Sequence, residues 1–211
     1  MTESERKQII ALIQREVIPA IGCTEPIAVA LCVAKATETL GAKPEKIKVL
    51  LSANILKNAM GVGIPGTGMI GLPIAVALGA LIGKSDYQLE VLKDSTPEAV
   101  EEGKKLIDEK RICISLKEDI TEKLYIEVTC EAGGEQATAI ISGGHTTFVY
   151  VAKGDEVLLN KQQTSGEEEE EETLELTLRK VYDFALTAPL DEIRFILETA
   201  RLNKKAAEQS F

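Results

Sequence analysis

The sequence predicts an α+β protein: helices flanking a mainly antiparallel sheet, with helix-rich N- and C-terminal segments. Three observations carry that prediction. Helical periodicity fills the first forty residues, β-branched runs separated by short polar or Gly-Gly turns fill residues 112–153, and helical periodicity returns near residue 175. The 211 residues are 45% hydrophobic and 27% charged, a composition that buries one substantial core or two small ones.

In MTESERKQIIALIQREV, Ile9, Ile10, Leu12, Ile13 and Val17 recur at helical spacing between charges, which marks an amphipathic first helix. Thr24 to Leu40 is a second, more apolar helix, with Thr24 as N-cap, Glu25 and Pro26 in the first turn and Gly41 as the stop. IKVLLSA, from Ile47, has the compact β-branched composition of a buried strand. The segment that follows holds glycine at 61, 63, 66, 68 and 71, so it supplies backbone shape rather than side-chain packing. Ile74 to Ile82 is a buried helix, and Ser95-Thr96 before Pro97 and Glu98 opens another. ICISL, KLYIEVTC, EQATAIIS and TTFVYVA read as a meander of antiparallel strands, with GDEV opening one more. LTLRKVYDFALTA and LDEIRFILETARLNKKAAEQ are helical patterns joined at Ala188-Pro189, and the second meets no capping glycine, as in a chain stopped short. Three parts result: an α+β domain over 1–163, an acidic linker over 164–173 with six consecutive glutamates, and C-terminal helices over 174–211.

A net charge of -10, 4% aromatic residues and no tryptophan leave no footprint for nucleic acid or an anionic membrane surface. The N-terminus lacks the unbroken apolar run of a signal peptide, and Met69 to Gly83 is too short to span a bilayer. A cytoplasmic protein is expected, with Cys23, Cys32, Cys113 and Cys130 reduced and without CxxC spacing.

Chemistry concentrates in three places. Cys23, in GCTEP, stands beside the positive end of the second helix, where a thiol is expected to ionise more readily and act as base, nucleophile or metal ligand; Glu25 opposes that, and plain packing is the alternative. GVGIPGTG, from Gly61 to Gly68, leads into a helix and offers consecutive N–H groups to a carboxylate or phosphate, with Asn54, Lys57 and Asn58 just upstream. It lacks both the GK[ST] of a P-loop and the acidic partner of a dinucleotide fingerprint, and its plainer use is a tight turn for close packing. SGGHTT holds the sole histidine, His145, with Thr146 at a strand end; a solvated loop histidine is the alternative.

Taken in order, GCTEP, SANILKNAMGVGIPGTG, LEVLKDSTPE, LYIEV and ISGGHT resemble the N-terminal half of the L-cysteine desulfidase family, relatives of the iron-sulfur L-serine dehydratase alpha chain. The resemblance implies a carbon–sulfur lyase that converts L-cysteine to pyruvate, ammonia and sulfide with a 4Fe-4S cluster, or the related serine deaminase. It implies Cys23 as proton-abstracting thiolate or reversible fourth cluster ligand, and His145 as a catalytic group. It further implies Asn54, Asn58, Gly66, Thr67, Gly68 and Thr146 as the surroundings of a small amino-acid substrate. Cys32, Cys113 and Cys130 read as core residues, so the three remaining cluster thiolates are expected in a missing C-terminal half. This chain alone is then expected to hold no cluster and to be inactive. A non-catalytic module for a small amino or carboxylic acid is the rival, an interaction protein built on the glutamate run a third possibility, and a homodimer the expected assembly.

Overall fold

The computed structural model describes residues 1–161 and 175–209, so the expected acidic linker lies outside the described residues. The chain divides into two units. One holds the first helix, α1 (Glu3–Glu16), together with α6 (Leu178–Thr187) and α7 (Ile196–Gln209). The sequence placed that first helix in the α+β domain. α1 starts on a capping box formed by Thr2 and Glu5. Arg6 pairs with Glu192 at 2.8 Å and Glu5 with Lys180 at 3.2 Å, while Ile9 and Phe184 are the buried apolar side chains of these helices. The second C-terminal helix begins at Ile196, because residues from Pro189 onward form turns first.

The other unit is the α+β body. Its six-stranded sheet runs β4 (Ile112–Leu116), β1 (Lys46–Leu51), β5 (Tyr125–Ala132), β6 (Glu135–Ser142), β7 (Phe148–Lys153) and β8 (Glu156–Asn160). β5 to β8 are the expected meander. β4 is not part of it: it lies parallel to β1 at the sheet edge, with Ile47 opposite Ile112 and Val49 opposite Ile114. A helical connection precedes β4, and such a crossover returns a strand parallel to its neighbour.

Ile47, Val49, Leu51, Ile126, Val128, Cys130, Ala137, Ala139 and Ile141 alternate onto one face of the sheet and are buried there. On that face lies α2 (Thr24–Leu40), whose residues from Ile27 to Ala34 have no exposed surface. A helix apolar all round must be covered on both sides. The sheet covers one side and α4 (Leu72–Ile82) the other, with α5 (Pro97–Asp108) against α4. The two crossings are made by glycine. A Cβ on Gly79 would stand 2.6 Å from the Ala30 carbonyl oxygen, and one on Gly103 would stand 3.0 Å from the Ile74 side chain. α2 ends at Gly41, at φ 77°, and Lys153 reaches back to the Leu40 carbonyl at 3.0 Å.

Two elements were not expected. Ser52 caps a seven-residue helix, α3 (Ala53–Ala59), inside the stretch assigned to irregular backbone. A 3₁₀ segment, Ser85–Glu90, follows α4 and carries Gln88 at φ 52° and ψ -127°. The glycine-rich loop itself is a small hairpin of β2 (Gly63–Ile64) and β3 (Met69–Ile70), turned through Gly66 and Gly68 at φ 77° and 63°. Among the described residues no helix is long and apolar enough to cross a membrane.

Candidate functional site at the start of helix α2

Cys23 itself is the N-cap of α2, at φ -61° and ψ 132°, so Thr24 is the first helical residue and not the cap the sequence suggested. The cysteine side chain accepts no cap hydrogen bond, so the first-turn N–H groups of α2 go without that partner at the helix end. Glu25, one residue further, folds back across the helix end. The Cys23 thiol donates to Glu25 Oε2 at 2.9 Å, and the Thr24 hydroxyl donates to the same oxygen at 3.3 Å.

Two other segments close on this pair. α3 presents Asn58, whose Nδ2 donates to Glu25 Oε1 at 3.3 Å. The turn between β6 and β7 presents His145, whose Nε2 lies 3.5 Å from the Thr24 hydroxyl. That turn is set by Gly143 at φ 79° and closed by Thr147, which accepts from the Ser142 N–H at 3.1 Å; Thr146 sits half-buried beside His145. Cys23, Thr24, Glu25 and His145 are all half-buried, and Asn58 is exposed.

The electrostatics reverse one sequence expectation. The hydrogen bond that the thiol donates to Glu25 comes first, and burial second, in pushing the Cys23 thiol up from its ordinary value, against the opposing pull of the backbone N–H groups. The same bond, first among its causes, holds the Glu25 carboxyl below the usual carboxylate range, with help from Asn58 and His145. The free protein therefore holds a protonated thiol against an ionised carboxylate. The helix end favours thiolate, but a carboxylate at hydrogen-bond distance outweighs it.

The remaining candidates divide. The hairpin adjoins the site: a Cβ on Gly22 would stand 3.0 Å from Pro65 Cγ. Gly66, Thr67 and Gly68 form the tip beyond Pro65. The Thr67 hydroxyl is turned inward, donating to the Ile64 carbonyl at 2.7 Å and accepting from the Met69 N–H at 3.0 Å. Asn54 faces elsewhere, into a cleft of about 520 Å³ lined with Ser52 and residues 116–123. Glu25 and Thr24 were missed as site residues. The signal was their place within two positions of an N-cap, where short polar side chains fold back on the helix end.

The iron-sulfur cluster has no matching ligand set among the described residues. Cys32 and Cys130 are sealed in the core, Cys113 is exposed on β4 where a core residue was expected, and no group of three His, Cys, Asp or Glu side chains converges as a metal site. The residues present do not fit the group.

Fold and site together define an α+β protein with a thiol, carboxylate, carboxamide and imidazole gathered at one helix end. Over all 211 residues the chain is 81% identical to a protein of Bacteroides thetaiotaomicron called a UPF0597 protein, of which it covers 49%. It is 76% identical over the same length to a UPF0597 protein of Phocaeicola vulgatus, again 49% of that protein, and 49% identical to one of Porphyromonas gingivalis. The chain thus spans about half the length of the curated relatives it matches. No family model matches it, and no solved structure matches it.

These relatives correct the resemblance drawn from the motifs. The proteins that match this chain from end to end carry the UPF0597 name and not that of a cysteine desulfidase or serine dehydratase. The iron-sulfur lyase assignment, its pyruvate-forming chemistry and the description of the chain as the N-terminal part of such an enzyme fall with it.

Proposed function

We propose that the start of α2 is a small-molecule site that moves protons through the Cys23 and Glu25 pair, and that the ligand brings a protonated amine to Glu25. One observation carries this reading. Glu25 is a half-buried carboxylate whose hydrogen-bond partners, Cys23, Thr24 and Asn58, are all neutral, and no lysine or arginine among the described residues pairs with it. A half-buried anion whose hydrogen-bond partners are all neutral attracts a cation, and an ammonium group fits the three neutral donors by displacing one of them. A thiol and a carboxylate that share a proton at 2.9 Å are a suitable pair for acid–base work on such a ligand. The four free cysteines support a cytoplasmic setting.

His145 makes the test direct, because it is the only histidine and gives a single imidazole signal in NMR. Titration with glycine or ethylammonium is expected to shift that signal saturably, while propionate, which lacks the amine, leaves it in place. Glu25→Gln should weaken the glycine response by about tenfold, the equivalent of about 1.4 kcal/mol. No response to either amine, or an equal response to propionate, contradicts the reading.

A further inference from the structure

Resting on that reading, we infer that Glu25 is a ligand-released lock on Cys23. While the carboxylate is free it retains the thiol hydrogen bond; when a bound ammonium takes the carboxylate, the Sγ proton passes to solvent and a thiolate remains at the tip of α2.

The geometry supplies both halves of the lock. In the closed state Sγ is 2.9 Å from Glu25 Oε2, and Asn58 holds the other carboxylate oxygen at 3.3 Å, so the carboxylate is aimed at the sulfur by a group on a different helix. In the released state the sulfur keeps its place at the N-cap of α2, where the unpaired N–H groups of the first turn and the positive helix end stay fixed by the helix. A negative sulfur would keep those donors and the positive helix end, and would lose only the carboxylate that opposes it.

The neighbours leave Glu25 as the deciding charge. From α2 it is Glu25 itself; from α3 come neutral Asn58 and the exposed Lys57; from the β6–β7 turn comes His145; the hairpin brings Pro65 against Gly22. The 3₁₀ segment, whose Leu89 carbonyl accepts from the Ile21 N–H at 3.4 Å, ends at Glu90, and Glu25 is the acid that hydrogen-bonds the sulfur itself. The consequence is a base that exists only with ligand in place, which spares the free protein a reactive thiolate.

The test follows Cys23 alkylation by iodoacetamide near neutral pH in the full chain, resolved peptide by peptide. Cys113, exposed on β4, serves as an internal standard, and circular dichroism confirms the fold of each variant. Glu25→Gln without ligand is expected to speed alkylation of Cys23 about tenfold with Cys113 unchanged, because the thiolate fraction rises once the opposing charge is gone. Ethylammonium at a concentration that saturates the His145 shift should produce acceleration in the same direction, against sodium chloride at equal ionic strength. An unchanged Cys23 rate in Glu25→Gln overturns the lock even if ethylammonium binds. Binding of ethylammonium without acceleration overturns the release step. A faster Glu25→Gln combined with no ethylammonium response at His145 overturns the amine reading and leaves only a charge effect in the free protein.

Discussion

Gly79→Val is expected to destabilise the protein by about 3 kcal/mol or more, the upper end of overpacking costs. The physical cause is backbone against backbone. The first added carbon would stand 2.6 Å from the Ala30 carbonyl oxygen and 3.1 Å from Ala30 Cα, and neither atom belongs to a side chain that can rotate away. α4 must then withdraw from α2, and α2 is the fully buried helix on which the sheet packs. Valine lowers no unfolded-state entropy large enough to offset this, and its β-branch adds volume at the crossing. Urea unfolding followed by circular dichroism measures the effect. A loss below about 1 kcal/mol would mean that the two helices do not cross at Gly79.

Ser52→Ala is expected to cost about 2 kcal/mol, more than a surface serine, because the hydroxyl is buried and connects three backbone groups. It donates to the Lys123 carbonyl at 2.8 Å and accepts from the N–H groups of Tyr125 at 3.4 Å and Ile55 at 3.5 Å. Only 2% of Ser52 is exposed, so water cannot replace those bonds. The hydroxyl fastens the start of α3 to β5, and α3 carries Asn58 to Glu25. The variant should therefore weaken the Cys23 site as well as the fold, seen as a changed His145 signal alongside the urea result. A stability loss under about 0.5 kcal/mol would show the hydroxyl to be idle.

Much of the fold was legible because it rests on local signals. Thr96 with Pro97, Gly41 and the period-two strands from Tyr125 to Lys153 announce their elements through capping chemistry and alternation. The parallel seat of β4 was not legible, since ICISL carries no mark of which neighbour it joins and the answer depends on a helical crossover. α3 was hidden by its length: seven residues beside five glycines look like loop, and only the buried bonds of Ser52 explain it.

The site was half legible. Cys23, Asn58 and His145 were singled out by local context and do meet around Thr24 and Glu25, although 33 residues separate Glu25 from Asn58 and 121 separate Thr24 from His145. Which way Cys23 is pushed was left open by the sequence, where the helix end and Glu25 oppose each other, because the fold-back of Glu25 is a matter of rotamer and distance. Asn54, one turn before Asn58, belongs to a different cleft for the same reason. Motif order suggested a lyase, and relatives along the full chain did not bear the name.

The central claim is that Cys23 and His145 share one site, and a spin label tests it most directly. In a Cys113→Ser background the only thiol open to a nitroxide reagent is Cys23, because Cys32 and Cys130 are buried. Paramagnetic broadening should then erase the single His145 imidazole signal, and reduction of the label should restore it. A His145 signal at full intensity with the label in place would contradict the account.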